Sequence, residues 1–341
     1  MAIVEHLVVE TYGAFISKHS ERLRVTKADE KLCEAPLMHL QSVLVASKGV
    51  GISSDVIAEC AERGIPIFFC NPSGHTYGTV YAAGLGGTIL TRREQLYAYG
   101  DQRGRDAALA FAAGKIENQA ITLRYMAKTR KESAPDAYEQ LCQADMAILD
   151  HLASLERLDG ETVEAVRERL MAVEGSAAKA YWGAIRAVIP AEYNWTSRQT
   201  RGATDPVNSL LNYGYGILYG KVEQALVVAG LDPYAGFMHA DRPGKPSLVL
   251  DLIEEFRQTA VDRVVFGLAN RHFKVDQDEG GNLKPEICRS LAEKVLAHLD
   301  AGVRHEGKSY PLRMVIQQQA RKLAAFLRRE RPLYEPFKAT W

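Results

Sequence analysis

The sequence predicts an α+β chain in two parts: a small N-terminal β-strand domain over residues 1–88 and a larger, all-α-helical domain over residues 89–341. Three observations carry this. Residues 1 to about 85 contain short runs rich in β-branched side chains, parted by turn residues. From residue 90 onward, apolar residues recur at helical spacing in segment after segment. The chain has 341 residues, of which 47% are apolar, so each of two domains can bury a core.

The elements follow in order. "HLVVETYGAFISKHSERLRV" reads as strands separated by Tyr12-Gly13 and by a polar turn near Lys18–Glu21. "SVLVAS" and "IPIFFC" are short strands, the second followed by the turn "NPSG". Between them, "SSDVIAECAERG" is a helix that Ser53 or Ser54 can cap and Gly64 can end. This domain has too little sequence to cover both faces of a sheet, which predicts that it forms a homodimer contact. The helical part runs through "REQLYAYG", "RDAALAFAAGKIENQAITLRYMAK", "DAYEQLCQADMAILDHLASL" and "GETVEAVRERLMAVEGSAAKAYWGAI". It continues, after the irregular link "PAEYNWTSRQTRGATDP", with "DPVNSLLNYGYGILYGKVEQALVVAG", "KPSLVLDLIEEFRQTAVDRVVFGLAN", "KPEICRSLAEKVLAHL" and "LRMVIQQQARKLAAFLRRE".

Composition excludes several classes. Lys plus Arg and Asp plus Glu both number 42, so no global basic charge announces a nucleic-acid protein. The charge is unevenly placed, however. Acids outnumber bases nine to three between Glu139 and Glu174, and bases outnumber acids eight to three between Val303 and Glu335. A solvated helix face explains that basic stretch as well as a ligand does. The five cysteines include no C-x-x-C pair, which argues against a zinc ribbon or an iron–sulfur cluster. Their odd number suits reduced thiols in a cytosol. Glu5 and Glu10 interrupt the apolar N-terminus, which reads as neither signal peptide nor membrane span, so a cytoplasmic protein is expected.

One segment carries a histidine and several acids. After His239, a helix is predicted to start at Pro246-Ser247, with Ser247 as its cap. Asp251, Glu254 and Glu255 then lie at i, i+3 and i+4 and share a face. Crowded carboxylates call for a cation. Taken alone, the three acids are better explained as the solvated edge of an amphipathic helix. Glu174 precedes the small residues Gly175, Ser176, Ala177 and Ala178, which let two helices approach closely; packing alone also explains that run.

Four motifs occur in order: E-G-x-A-A-x-x-Y at Glu174 to Tyr181, D-P-x-N-x-L-L-x-Y-x-Y at Asp205 to Tyr215, His239 followed by S-L-V-L-D-L-x-E ending at Glu254, and Q-x-x-x-L-A-x-x-L at Gln319 to Leu327. In this set and order the chain resembles the CRISPR-associated spacer-acquisition integrases, the universal metal-dependent nucleases of CRISPR adaptation. The resemblance covers the whole chain. It implies an N-terminal β domain and a helical domain that carries a metal site. It places the catalytic metal ligands at Glu174, His239 and Glu254, with Asp251 as an auxiliary group and Asn208 and Tyr213 in support. It implies a DNA endonuclease and strand transferase that inserts new spacers by attack of DNA 3′-hydroxyls on the CRISPR repeat. It also implies a homodimer, two of which bracket a dimer of a small ferredoxin-like CRISPR protein.

Two carboxylates and an imidazole, with no thiolate, suit Mn²⁺ or Mg²⁺. Glu254 is the expected direct ligand among the helix acids, and Glu255, about 100° further round, is expected to face solvent or a basic neighbour. His239 is a ligand first, and a role as general base is not separable from that. DNA contacts are expected from Arg321, Lys322, Arg328 and Arg329 on the basic helix, from Trp195, Arg198 and Arg201 in the irregular link, and from Lys245. Trp195 reads equally as a buried anchor of its loop. Two other functions fit less of the pattern: an unrelated metal-dependent phosphohydrolase, and a non-catalytic DNA-binding assembly subunit.

Overall fold

The structure is a computed structural model that describes residues 4, 6–28, 30–40, 42–71, 76–80 and 89–340. The domain boundary expected at residue 88 and most of the "NPSG" turn lie outside the described residues. The strand-rich region comprises β1 (His6–Val9), β2 (Phe15–His19), β3 (Arg22–Lys27), β4 (Glu30–Pro36), β5 (Ser42–Val45), β6 (Gly51–Ile52), α1 (Ser54–Glu62), β7 (Ile67–Cys70) and β8 (Thr76–Val80). One sheet has the order β4-β3-β2-β6 and the other β1-β5-β7-β8. β2 and β3 form a hairpin with His19 opposite Arg22, so the turn is Ser20-Glu21, and Ser20 takes the positive φ that tight hairpins demand. Ser53 caps α1, its Oγ accepting from the Val56 N–H, and Gly64, at φ +68°, ends it.

Side-chain alternation decides how this region meets the rest. Leu7, Val9, Val43, Val45 and Ile67 face a core shared with the other sheet and with Val56 and Cys60 of α1. Leu44, Phe68 and Cys70 face the other way. Over them lies α6 (Pro206–Val228), in which a Cβ on Gly220 would sit 3.1 Å from the Phe68 ring, and Lys221 Nζ lies 3.2 Å from Ser42 Oγ. The second sheet face is therefore covered by the chain's own helix. A dimer contact from this region would therefore have to come from its other surfaces.

The helical region starts with α2 (Ile89–Ala98) and α3 (Gln102–Ala127), and α3 packs along α4 (Pro135–Leu155) and α5 (Val163–Arg186). After α6 come α7 (Ser247–Leu252), α8 (Arg263–Ala269) and α9 (Pro285–Asp300). A hairpin of β9 (Gly302–His305) and β10 (Lys308–Pro311) leads into α10 (Leu312–Leu327). That hairpin is an addition to the all-α expectation. Its turn is Glu306-Gly307, both at positive φ, and Gly307 was its signal.

The segment read as one helix from Lys245 to Asn270 is broken. α7 passes into a 3₁₀ turn at Ile253–Glu255, then a π-helical turn at Gln258–Asp262, then α8. Such irregular turns are frequent at functional sites. Ser247 does not cap; its Oγ accepts from the Gly236 N–H and lies 2.5 Å from Asp241 Oδ1, tying the His239 loop to the helix start. A Cβ on Gly236 would come within 2.7 Å of Ser247, so only glycine permits this approach.

Candidate metal centre

Three elements bring charge together in the interior. Lys115 on α3 forms ion pairs with Glu174 Oε1 on α5 and, at 2.8 Å, with Glu254 Oε2 in the 3₁₀ turn. Arg257 Nε lies 3.2 Å from the same Glu254 oxygen. Glu174 and Glu254 are both buried. Burial alone would raise the Glu254 carboxyl, but the charges of Arg257, Lys115 and His239 outweigh it and hold its pKa well below the usual range. Burial would likewise lower the Lys115 ammonium, and the Glu254 and Glu174 charges reverse that. Glu254 is thus held ionised, and the charge compensation at both carboxylates comes from cations of the chain itself.

His239 stands beside this group, near enough to act on Glu254. Its Nδ1 lies 2.8 Å from Asp251 Oδ1. Asp251 is fully buried and also accepts from the backbone N–H groups of Phe237, Met238 and His239. An ionised carboxylate only accepts, so Nδ1 carries the proton and Nε2 is left as the ligating nitrogen. Asp251 therefore acts through the ring it fixes.

Glu255 departs from expectation. It does not face solvent, and the charge of Lys322 reaches it without forming an ion pair. It is fully buried and accepts from the Tyr334 hydroxyl at 2.5 Å, the Phe337 N–H at 2.8 Å and Gln319 Nε2 at 3.1 Å. Asn118 of α3 completes this anchor of the C-terminal segment, donating to the Glu255 and Phe337 carbonyls. The change from α to 3₁₀ pitch thus sends Asp251, Glu254 and Glu255 into three separate environments rather than onto one face.

A second polar layer lies along the same seam. Tyr181, two turns beyond Glu174, donates to Asp262 Oδ2 at 2.8 Å, and Tyr215 of α6 donates to Asp262 Oδ1. The Arg257 guanidinium lies 4.7 Å from the Tyr215 ring centroid. Burial raises the Asp262 carboxyl to about 6, against the two hydroxyls and the Arg198 and Arg257 charges. Sequence reasoning missed Lys115, Arg257 and Asp262. The signal for Lys115 was a lone cation following Ala112, Ala113 and Gly114 on a helix bound to be buried, since a buried charge needs a partner.

The donor set can be tested against a metal. Glu254 Oε2 is buried and accepts no well-directed hydrogen bond. With Glu174 and the His239 Nε2 it makes a carboxylate–carboxylate–imidazole set, which fits a divalent ion with hard or borderline preference. Among the described residues, no three acidic, histidine or cysteine side chains already converge to ligating distance; Lys115 lies between the two glutamates.

The pattern of the family described as "CRISPR associated protein Cas1" matches residues 7–296. The chain belongs to the Cas1 family. A curated relative, "CRISPR-associated endonuclease Cas1 1" of Archaeoglobus fulgidus, is 38% identical over 98% of this chain and 99% of its own. A solved casposase bound to integration product superposes with a TM-score of 0.82 at 22% identity, over 97% of this chain and 93% of that one. The Cas1-containing chain of a Cas6-RT-Cas1–Cas2 complex gives 0.75 at 20% identity, over 100% of this chain and 37% of that one. The expected two-part fold is borne out by these likenesses, and the expected CRISPR-associated endonuclease by family membership. As an endonuclease of the Cas1 family, the chain depends on a divalent metal ion. No helix among the described residues is long and apolar enough to cross a membrane.

In this Cas1 chain the remaining expected residues scatter. Asn208 is buried in the first turn of α6, where it accepts from the Gln199 N–H and donates to Asp205 and the Ser197 carbonyl, holding the irregular link. Tyr213 is buried with Cys288, Glu10 and Cys70 as polar neighbours, on the sheet side of α6; Tyr215 is the tyrosine that meets Arg257. Trp195 is a buried anchor, edge-on to Trp182 at 6.1 Å, which overturns base stacking on it. Arg198 is locked onto Asn208, Asn212 and the Trp182 and Tyr215 rings. Arg201 is exposed and Lys245 half-buried. On α10, Arg321 is exposed, whereas Lys322 pairs with Glu306, Arg328 with Glu330 and Arg329 with Asp101. Three of these four cations are thus locally neutralised.

A different surface gathers basic side chains. Where α3, α8 and α9 meet, a groove of about 1010 Å³ is lined by Lys128, Arg130, Arg263, Arg271, Lys294 and His298, with no acid in its lining. Tyr125 is half exposed there, under Arg263 at 4.8 Å. Tyr125 is ten residues along α3 from Lys115, about 15 Å of helix.

Proposed function

We propose that the chain inserts spacer DNA into a CRISPR array, using Glu174, His239 and Glu254 to hold a divalent ion at the reacting phosphate. One observation carries this: in a Cas1 chain, two buried carboxylates, both paired with Lys115, lie beside a histidine whose Nε2 is freed by the Asp251 contact. The hard oxygen donors favour Mn²⁺ or Mg²⁺. Bound there, the ion would polarise the phosphate and favour ionisation of the attacking water or 3′-hydroxyl. Asp251 holds the imidazole tautomer. Arg257, stacked on Tyr215, keeps positive charge against Glu254 while the site is remodelled. The buried Tyr181–Asp262–Tyr215 layer fixes α5, α6 and the π turn around that arginine.

DNA is held by the groove between α3, α8 and α9 rather than by α10, because several cations and no acid line it and phosphate is drawn to such a concentration of basic side chains. The groove's place on α3 supports a strand running from the carboxylates past Thr122 to Tyr125. The solved complex with Cas2 supports a small ferredoxin-like CRISPR protein as partner. A homodimer through the strand-rich region is supported by exposed Tyr12, Phe15, Leu32 and Met38. The reaction belongs in the cytoplasm, where the array is. The test is a strand-transfer assay on repeat DNA with Mn²⁺ or Mg²⁺, with and without the partner. Metal-dependent joining of a 3′-hydroxyl to the repeat is expected; hydrolysis alone under all these conditions would contradict the integrase reading.

A further inference from the structure

We propose that Lys115 is a resident counter-cation, occupying the place of the divalent ion between Glu174 and Glu254 and withdrawing when that ion binds. This rests on reading the site as a metal centre. The Lys115 ammonium pairs with one oxygen of each glutamate, in the space that a shared ion would take. That space explains why the ligand set does not converge among the described residues. An ammonium and a divalent ion at contact distance in a protein interior repel by far more than thermal energy, so the two cannot share these oxygens.

Lysine suits an exchange of this kind. Its charge is a compact point on a flexible four-carbon stem, so the head can swing away without displacing α3. Arg257 is unsuited, with its guanidinium stacked on Tyr215. Before metal arrives, Lys115 keeps two buried carboxylates from facing each other unpaired. Afterwards it is a free cation beside the reacting phosphate. The cost is a weaker metal site than these donors alone would make. Lys115 is thus a positioning residue that sets when the site is assembled.

The test uses the full chain. Mn²⁺ is titrated calorimetrically into wild type, Lys115→Met and Lys115→Arg, and melting temperatures are recorded with and without Mn²⁺. Lys115→Met should melt lower without metal, bind Mn²⁺ at least tenfold more tightly and gain more on Mn²⁺ addition than wild type; Lys115→Arg should bind no more tightly than wild type. A purely structural lysine would lower melting equally in both conditions. In wild type, acylation of lysines read by mass spectrometry should find Lys115 protected without metal and reactive with Mg²⁺, which decides the matter if Lys115→Met fails to fold. Unchanged affinity in Lys115→Met, or unchanged labelling of a wild type that binds metal, overturns the exchange and leaves the metal centre standing. No Mn²⁺ binding to any of the chains overturns both.

Discussion

His239 Nδ1 and Asp251 Oδ1 are 2.8 Å apart, and the same carboxylate holds three successive backbone N–H groups of the loop that carries the histidine. Ring orientation and loop position therefore depend on one side chain. Asp251→Asn places a donor where these groups need an acceptor. Metal affinity should fall by about 10–100-fold, the range for removing a carboxylate behind a ligating histidine. The nitrogen shifts of His239 should show loss of the Nδ1–H tautomer. Retained tautomer and affinity would remove Asp251 from the account.

Glu255 gives the opposite kind of prediction. Glu255→Ala would strand the Tyr334 hydroxyl, Gln319 and the Phe337 N–H in the interior. Stability to urea should drop by about 3 kcal/mol, as two or more buried donors lose their acceptor. A loss below about 1 kcal/mol would show that the C-terminal segment is held by its apolar contacts alone.

The two basic surfaces can be compared directly. Replacing Arg271 and Lys294 by Gln should weaken binding of single-stranded DNA. It should flatten the slope of log K against log salt by about 1.4, two phosphate contacts at roughly 0.7 each. Replacing Lys322, Arg328 and Arg329 by Gln should leave that slope nearly unchanged, because acids already neutralise them. The reverse pattern would put the DNA on α10.

Lys221 offers a pH signature remote from the centre. Burial between the sheet and α6 lowers its pKa to about 8. Between pH 8 and about 10.4 the unfolded chain binds the proton that the folded chain has lost, so stability rises with pH in that window. Below pH 8 both states are protonated and the cost of burial is fully present. Lys221→Met should therefore be more stable than wild type by about 2 kcal/mol at pH 7, with the difference gone above pH 10.5. Paired denaturation curves across pH check this; a constant difference would mean the ammonium is solvated.

Much of this was legible in the sequence. The α1 boundaries followed from Ser53 and Gly64, and most long helices followed from apolar spacing, because both signals are local. The break between Leu252 and Arg263 was not legible. Ile253 and Phe256 are compatible with helix, and the change of pitch comes from tertiary partners: Lys115 for Glu254, and Tyr334 and Phe337 for Glu255. Glu174, His239 and Glu254 were found by motif, whereas Lys115 and Arg257 carry no motif of their own. The pairing around α10 was not legible because it depends on the fold: Lys322 meets Glu306 of the β9–β10 turn, and Arg329 meets Asp101 from far along the chain.

The central claim is that Glu174, His239 and Glu254 share one divalent ion. Anomalous diffraction at the manganese edge, from crystals of the full chain grown with Mn²⁺, tests it most directly. The account predicts one strong peak per chain, about 2.1 Å from a carboxylate oxygen of each glutamate and from His239 Nε2, with the Lys115 ammonium moved off the pair. A peak elsewhere in the chain, or Lys115 still seated between the glutamates with no peak at saturating Mn²⁺, would contradict it.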